Sequence, residues 1–200
     1  MSILKSIISN VLVALYQPFW FALLLSIVFM FVWKRYSSVK EAMRQWIQWF
    51  KKEESFRRMF LLVFYTIMIL FRTLINRNMW LNPLSDVMGG WWIWKIDNKT
   101  GEQVLTTECF ENLALFVPFT VLLFYTYRDK IVGEHITLGR ILWKASKIVF
   151  LFSFTIEMLQ LFLRLGTWQL SDLFYNTLGG FIGGMIYWWG YRIKNRMTST

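Results

Sequence analysis

Glu157, Gln160 and Arg164 stand at i, i+3 and i+7 in an otherwise apolar stretch. On a helix this spacing puts all three on one face. Asp172 and Asn176, four apart, share a face of the next stretch, while Glu111 and Asn112 open an earlier one and Arg72 lies near the end of another. A guanidinium recognises phosphate or carboxylate with paired hydrogen bonds. Carboxylates can balance such a cation or move protons, and the amides can orient a bound group. Ionisable side chains inside apolar helices are costly and face a bundle interior or a cavity. Arg72, Asn112, Glu157, Gln160, Arg164, Asp172 and Asn176 are therefore read as one ligand-binding pocket, with Arg72 the expected partner of Glu157 and Arg164 the alternative. The competing reading is that these groups tie helices together, with each such hydrogen bond worth less than about 1 kcal/mol.

Other chemistries find less support. Cys109 and His135 are each the only residue of their type, so the chain can form no internal disulfide. Zinc sites draw three or four His or Cys ligands, so no metal and no cofactor is expected. Ser153 and Ser171 lie beside the carboxylates but have no histidine partner nearby in sequence. If the pocket is catalytic, Glu157 and Asp172 are the acid and base. No phosphate-binding loop, twin-arginine or lipidation motif is present.

The pocket needs elements to position it, and composition says which. Of the 200 residues 56% are hydrophobic and 20% aromatic, and only 17% are charged, against about 25% in a soluble domain. The net charge is +10. Nucleic-acid binding would account for the basicity but not for the apolar runs, so no nucleic-acid partner is expected. Stretches 11–33, 59–76, 111–127, 141–163 and 172–191 each approach the roughly 20 residues that cross a bilayer as helix. The expected fold is an all-α membrane bundle of five transmembrane helices. The first stretch ends on Trp33-Lys34-Arg35 without a small-residue cleavage site, which reads as a span rather than a signal peptide.

The cations give the orientation. Lys34, Arg35, Lys40, Arg44, Lys51, Lys52, Arg57, Arg58, Arg128, Lys130, Arg140, Arg192, Lys194 and Arg196 fall on one side of a five-span arrangement. Lys5, Arg77, Lys95, Lys99 and Arg164 fall on the other. The positive-inside rule then places the N-terminus outside and the C-terminus inside. Three regions follow: residues 1–58, with the first span and a basic amphipathic inner segment; residues 59–192, a four-helix membrane domain; and a basic tail, 193–200. In the inner segment Met43, Trp46, Ile47 and Phe50 recur at helical spacing, suiting an anionic lipid surface. The outer connection 77–110 carries Trp80, Trp91, Trp92 and Trp94, which favour a membrane interface. Asn98-Lys99-Thr100 matches the short glycosylation triplet.

Two further features concern packing. Gly179/Gly183 and Gly180/Gly184 are small-xxx-small pairs that admit a close helix neighbour, either within the chain or in a homodimer. Pro118 leaves the Ala114 carbonyl without its helical donor and is expected to bend the helix.

Asn112-Leu-Ala-Leu-Phe-Val-Pro118-Phe119, Glu157-x-x-Gln160 and Asp172-x-x-x-Asn176-Thr-x-Gly179 together resemble the VanZ-like family over roughly residues 60–192. That family takes its name from a teicoplanin-resistance protein. Arg72 is similar to an arginine the family carries near the outer end of an early helix. A second acidic residue usually precedes the Asp; here that stretch reads Thr167-Trp168-Gln169-Leu170-Ser171. Asn82-Pro83-Leu84-Ser85-Asp86-Val87 is similar to a narrower branch. The resemblance implies a multi-pass protein of the bacterial cytoplasmic membrane linked to teicoplanin-type glycopeptide resistance. The expected partners are membrane lipids and a lipid-linked wall precursor or a lipoglycopeptide. Three function classes stay open: an amphiphile-binding protein, an enzyme acting on a lipid or wall precursor, and a small lipid transporter.

Overall fold

The computed structural model describes residues 3–33, 38–97, 100–133 and 136–198. His135, Asn98-Lys99 and Lys34-Arg35 lie outside the described residues. The helices are α1 (Ile3–Tyr16), α2 (Phe19–Trp33), α3 (Val39–Lys52), α4 (Glu54–Leu70), α5 (Glu108–Ile131), α6 (Leu138–Leu163) and α7 (Leu170–Thr198). A π-turn, Phe71–Ile75, prolongs α4. A two-stranded antiparallel hairpin, β1 (Trp94–Ile96) and β2 (Gln103–Leu105), pairs Lys95 with Val104 in the connection before α5.

Each expected helix is present, with one correction. The stretch 11–33 is not a single rod, because α1 ends at Tyr16 and α2 begins at Phe19. Pro18 lies between them; its fixed φ and the constraint it puts on Gln17 interrupt the helix. On α2 the small or slender residues Ala22, Ser26 and Met30, four apart, are buried, while Trp20, Leu24, Val28 and Val32 point outward. Apolar side chains facing away from a bundle suit lipid and not water.

Four stretches are long and apolar enough to cross a membrane: Ile3–Trp33, Glu54–Ile75, Glu108–Ile131 and Leu138–Leu163. The fifth expected span is α7. It has ample length, 29 residues, but stands outside this set. Its first turns hold Asp172 and Asn176, four glycines dilute its middle, and its end is basic.

The glycines explain where α7 goes. It packs against both α5 and α6, while α4 packs on α5 and α2 on α4. A β-carbon at Gly183 would lie 2.6 Å from the Val117 carbonyl oxygen of α5, and one at Gly179 3.0 Å from Phe116 Cβ. On the neighbouring stripe, a β-carbon at Gly180 would meet Val149 of α6 at 2.7 Å, and one at Gly184 would meet Ala145 at 3.0 Å. Each small-xxx-small pair is thus occupied within the chain, one by each neighbour. The central core joins α4, α5 and α6 through Leu62, Ile69, Leu115, Phe116, Phe119, Val149 and Ile156.

Pro118 does free the Ala114 carbonyl, and the Tyr65 hydroxyl of α4 donates to it at 3.0 Å. The expected bend lies elsewhere: the non-helical residue of α5 is Tyr127, with φ −125° and ψ 19°. A substitute donor at Ala114 satisfies the backbone where proline removed its own.

The basic amphipathic segment is α3. The Ser38 hydroxyl accepts the Glu41 amide at 3.3 Å and caps its start. Trp46 and Phe50 stack with each other and edge onto Phe60 of α4, while Met43 and Ile47 remain exposed.

Candidate functional site

At one end of the bundle α4 finishes, α5 starts, α6 finishes and α7 starts, and this end carries the polar residues. The connection from Asn76 to Thr107 is folded over it as a cap. Its first half runs beside the α6–α7 turn, with Trp80 N–H donating to Arg164 O, Trp168 N–H to Pro83 O and Leu170 N–H to Val87 O at 2.8 to 2.9 Å. Gly89, at φ +67°, lies so close to α7 that a β-carbon there would fall 2.1 Å from Ser171 Oγ; only glycine meets both conditions. Trp92 is one of two non-glycine residues with positive φ among those described. Its N–H donates to Tyr175 Oη at 2.7 Å, its carbonyl accepts Cys109 Sγ at 3.0 Å, and its ring meets Phe110. Contacts to α5 and α7 thus hold it in a conformation that tryptophan rarely adopts.

Beneath the cap is a cavity of about 360 Å3. Its charged lining comprises Arg72, Arg77, Lys95, Glu108, Glu111 and Asp172, and Asn76, Asn112 and Gln169 add amides. Arg72 pairs with Glu111 of α5. Glu111 also accepts from the Thr107 hydroxyl at 2.8 Å, which in turn accepts from Asn10 of α1. Asp172 accepts Asn112 Nδ2 at 2.8 Å and faces Arg77 at 3.9 Å. Lys95 Nζ sits 2.9 Å from Asp86 and 3.4 Å from Glu108. Burial disfavours the charge on Lys95, but its bonds to these two carboxylates outweigh burial and hold its pKa above the usual lysine value.

Of the seven expected pocket residues, Arg72, Asn112 and Asp172 line this cavity. Glu157, Gln160 and Asn176 are buried behind it. Glu157 Oε2 accepts the Gln169 N–H at 3.1 Å. The expected partnership of Glu157 with Arg72 or Arg164 is therefore corrected: Arg72 is taken by Glu111, Arg164 is exposed, and Glu157 meets the Gln169 backbone N–H instead. Gln160 Nε2 donates to the Thr73 carbonyl at 2.7 Å. Thr73 lies inside the π-turn, where the Asn76 N–H reaches back five residues to Phe71 O. Gln160 thereby braces the turn that carries Arg72. Asn176 Nδ2 donates to Ser153 Oγ at 2.8 Å and ties α7 to α6. Arg164 is exposed, in a left-handed conformation that ends α6, and contributes its backbone carbonyl to the cap.

The residues that sequence reasoning missed are Arg77, Lys95, Glu108 and Gln169. Arg77 and Lys95 carried a signal: they are cations on the side that the positive-inside bias depletes. Gln169 lies in the stretch where a second acid is usual in VanZ-like chains. Its amide donates to Asp86 at 2.7 Å, so the cap brings a carboxylate to that place.

A family model described as VanZ/LLP1 matches residues 19–192. The chain belongs to the VanZ/LLP1 family. The match takes in α2 to α6, the cap and all of the cavity lining, and leaves out α1. No curated protein and no solved structure matches the chain significantly. Among the described residues of this VanZ/LLP1 member, no group of three or more His, Cys, Asp or Glu is placed to hold a metal ion.

Proposed function

We propose that this VanZ/LLP1 member is an integral protein of the bacterial cytoplasmic membrane. It binds the polar head of an amphiphile in the capped cavity and so gives low-level resistance to teicoplanin-type glycopeptides. All five long helical units cross the bilayer, with the cap outside and α3 and the C-terminus inside. The observation that carries this reading is one cavity where three cations, three carboxylates and three amides converge from the π-turn, α5, the α6–α7 turn, α7 and the Trp-rich cap itself. Lipid-linked wall precursors and lipoglycopeptides join acidic or amide-rich heads to an apolar chain, which suits such a place. Arg72→Ala and Glu157→Ala are expected to abolish teicoplanin resistance while the protein still reaches the membrane. Arg77→Ala should do the same. Resistance retained in all three variants would overturn the reading.

A second reading is a membrane-embedded enzyme, favoured by two buried carboxylates, Glu157 and Asp172, at the same end of the bundle. Ser171 Oγ is buried without a partner near them, pressed against Gly89. Glu157→Gln separates the readings: it removes an acid or base but keeps a hydrogen-bonding group. A mass change in purified lipid-linked precursor, produced by wild type and lost in Glu157→Gln, is the result expected of an enzyme.

A further inference from the structure

A second cavity of about 580 Å3 lies within the cap, against the first. Leu84, Val87, Met88, Trp91, Trp94 and Ile96 make its apolar wall, and Asp86 and Lys95 stand on the remaining side. Lys95 lines both cavities, and Asp86 is bonded to Lys95 and to Gln169 of the polar cavity. The two spaces thus share one polar partition, with charge on one side and apolar surface on the other. Met88 and Ile96 remain about 60% exposed, as does the ring of Trp92 beside them in sequence. Clustered apolar exposure of this kind marks a surface that something apolar covers.

The cations differ in how firmly they are held. Arg72 is committed to Glu111, whereas the described residues give Arg77 only Asp172 at 3.9 Å. Lys95 is held by Asp86 and Glu108, so Arg77 is the least committed cation of the lining and presents an anion receptor beside the partition.

We propose that the apolar groove of the cap holds the hydrocarbon chain of the same membrane-resident amphiphile whose anionic head, a phosphate or carboxylate, lies on Arg77. This inference rests on the amphiphile-binding reading above. It adds the place of the chain and the sign of the head. Continuity through Lys95 is what selects this occupant: a chain leaving the polar cavity at the partition enters the groove directly.

The test uses the full-length protein in phosphatidylcholine nanodiscs. One sample contains a trace of phosphatidylglycerol with a diazirine at the end of one acyl chain; the other contains diacylglycerol, which has no anionic group, with the same labelled chain. After irradiation, adducts are mapped by peptide mass spectrometry. Adducts are expected on residues 84–96 with phosphatidylglycerol and about tenfold fewer with diacylglycerol, the size of one lost charge-assisted contact. Arg77→Ala and Met88→Asp should each lower the groove adducts by a similar factor. A short-chain probe, dibutanoyl phosphatidylglycerol, is followed in parallel by phosphorus NMR line broadening. It should bind wild type and Met88→Asp alike and lose binding in Arg77→Ala. Adducts confined to the outward faces of α2 and α6, with short-chain binding intact, would overturn the groove and leave the head site standing. Equal groove labelling by both lipids would overturn the anionic head. No Arg77-dependent binding of either probe would remove the amphiphile reading as well. Should a variant fail to fold, the two wild-type adduct maps decide alone.

Discussion

Arg72 shows how far a single residue can be read before its neighbours are known. Its type and depth mark it as functional, and it does line the cavity, yet its partner Glu111 comes from a different helix than expected. Sequence order carries no information about which of several carboxylates at one depth a guanidinium will meet. The pair is largely buried, so removing one member leaves a charge uncompensated. In a double-mutant cycle, Arg72→Ala and Glu111→Ala should each destabilise the protein and the double variant should recover part of the loss, giving a coupling of about 1–2 kcal/mol. Additive shifts in thermal unfolding would refute the pairing. Lys95 offers a pH test with a defined sign. Its folded pKa is raised, so its contribution is complete below the free-lysine value of 10.5 and fades as pH rises through the higher folded value. The stability difference between wild type and Lys95→Met should therefore hold steady through neutral pH and shrink only in strong alkali. A difference that already declines below pH 10.5 contradicts the bonds to Asp86 and Glu108.

At the scale of elements, apolar runs and their polar punctuation located every long helix. The break at Pro18 is not marked by composition, because the residues just before it, 11–16, and those after it are alike apolar. The cap was legible as a Trp-rich segment but not as a folded lid, since its backbone bonds to the α6–α7 turn depend on no side-chain pattern. The glycines of α7 were legible as packing residues, and their division of labour follows from the helical repeat: adjacent glycines point about 100° apart and so address two different neighbours. Gly183→Ala is predicted to be the harsher test of this wedge, because its β-carbon would meet a backbone carbonyl that cannot rotate away. The expected cost is about 1–3 kcal/mol, read as a lower unfolding temperature in detergent. Gly190, where an added β-carbon meets nothing within 4 Å, is the control: Gly190→Ala should match or exceed wild type. An unchanged unfolding temperature in Gly183→Ala would refute the close approach of α5 and α7.

For the whole molecule, orientation can be checked directly. Cys109 is the single cysteine and is buried, so Cys109→Ser gives a background for introduced thiols. Gly101→Cys in the cap should react with a membrane-impermeant maleimide on intact cells. Lys51→Cys and Asn195→Cys should react only after permeabilisation; the reverse pattern would invert the proposed topology. The partition between α5 and α6 has a consequence for biosynthesis. α7 is synthesised after α5 and α6 and stands outside the strongly apolar set, yet it supplies Asp172 to the cavity and Ser171, Phe174 and Tyr175 to the seat of the cap. On the proposed topology, entry of α7 into the bilayer is therefore coupled to docking on partners already in place. Until that step the cap has no floor, so a nascent chain stalled before it exposes charged groups that quality-control proteases can read.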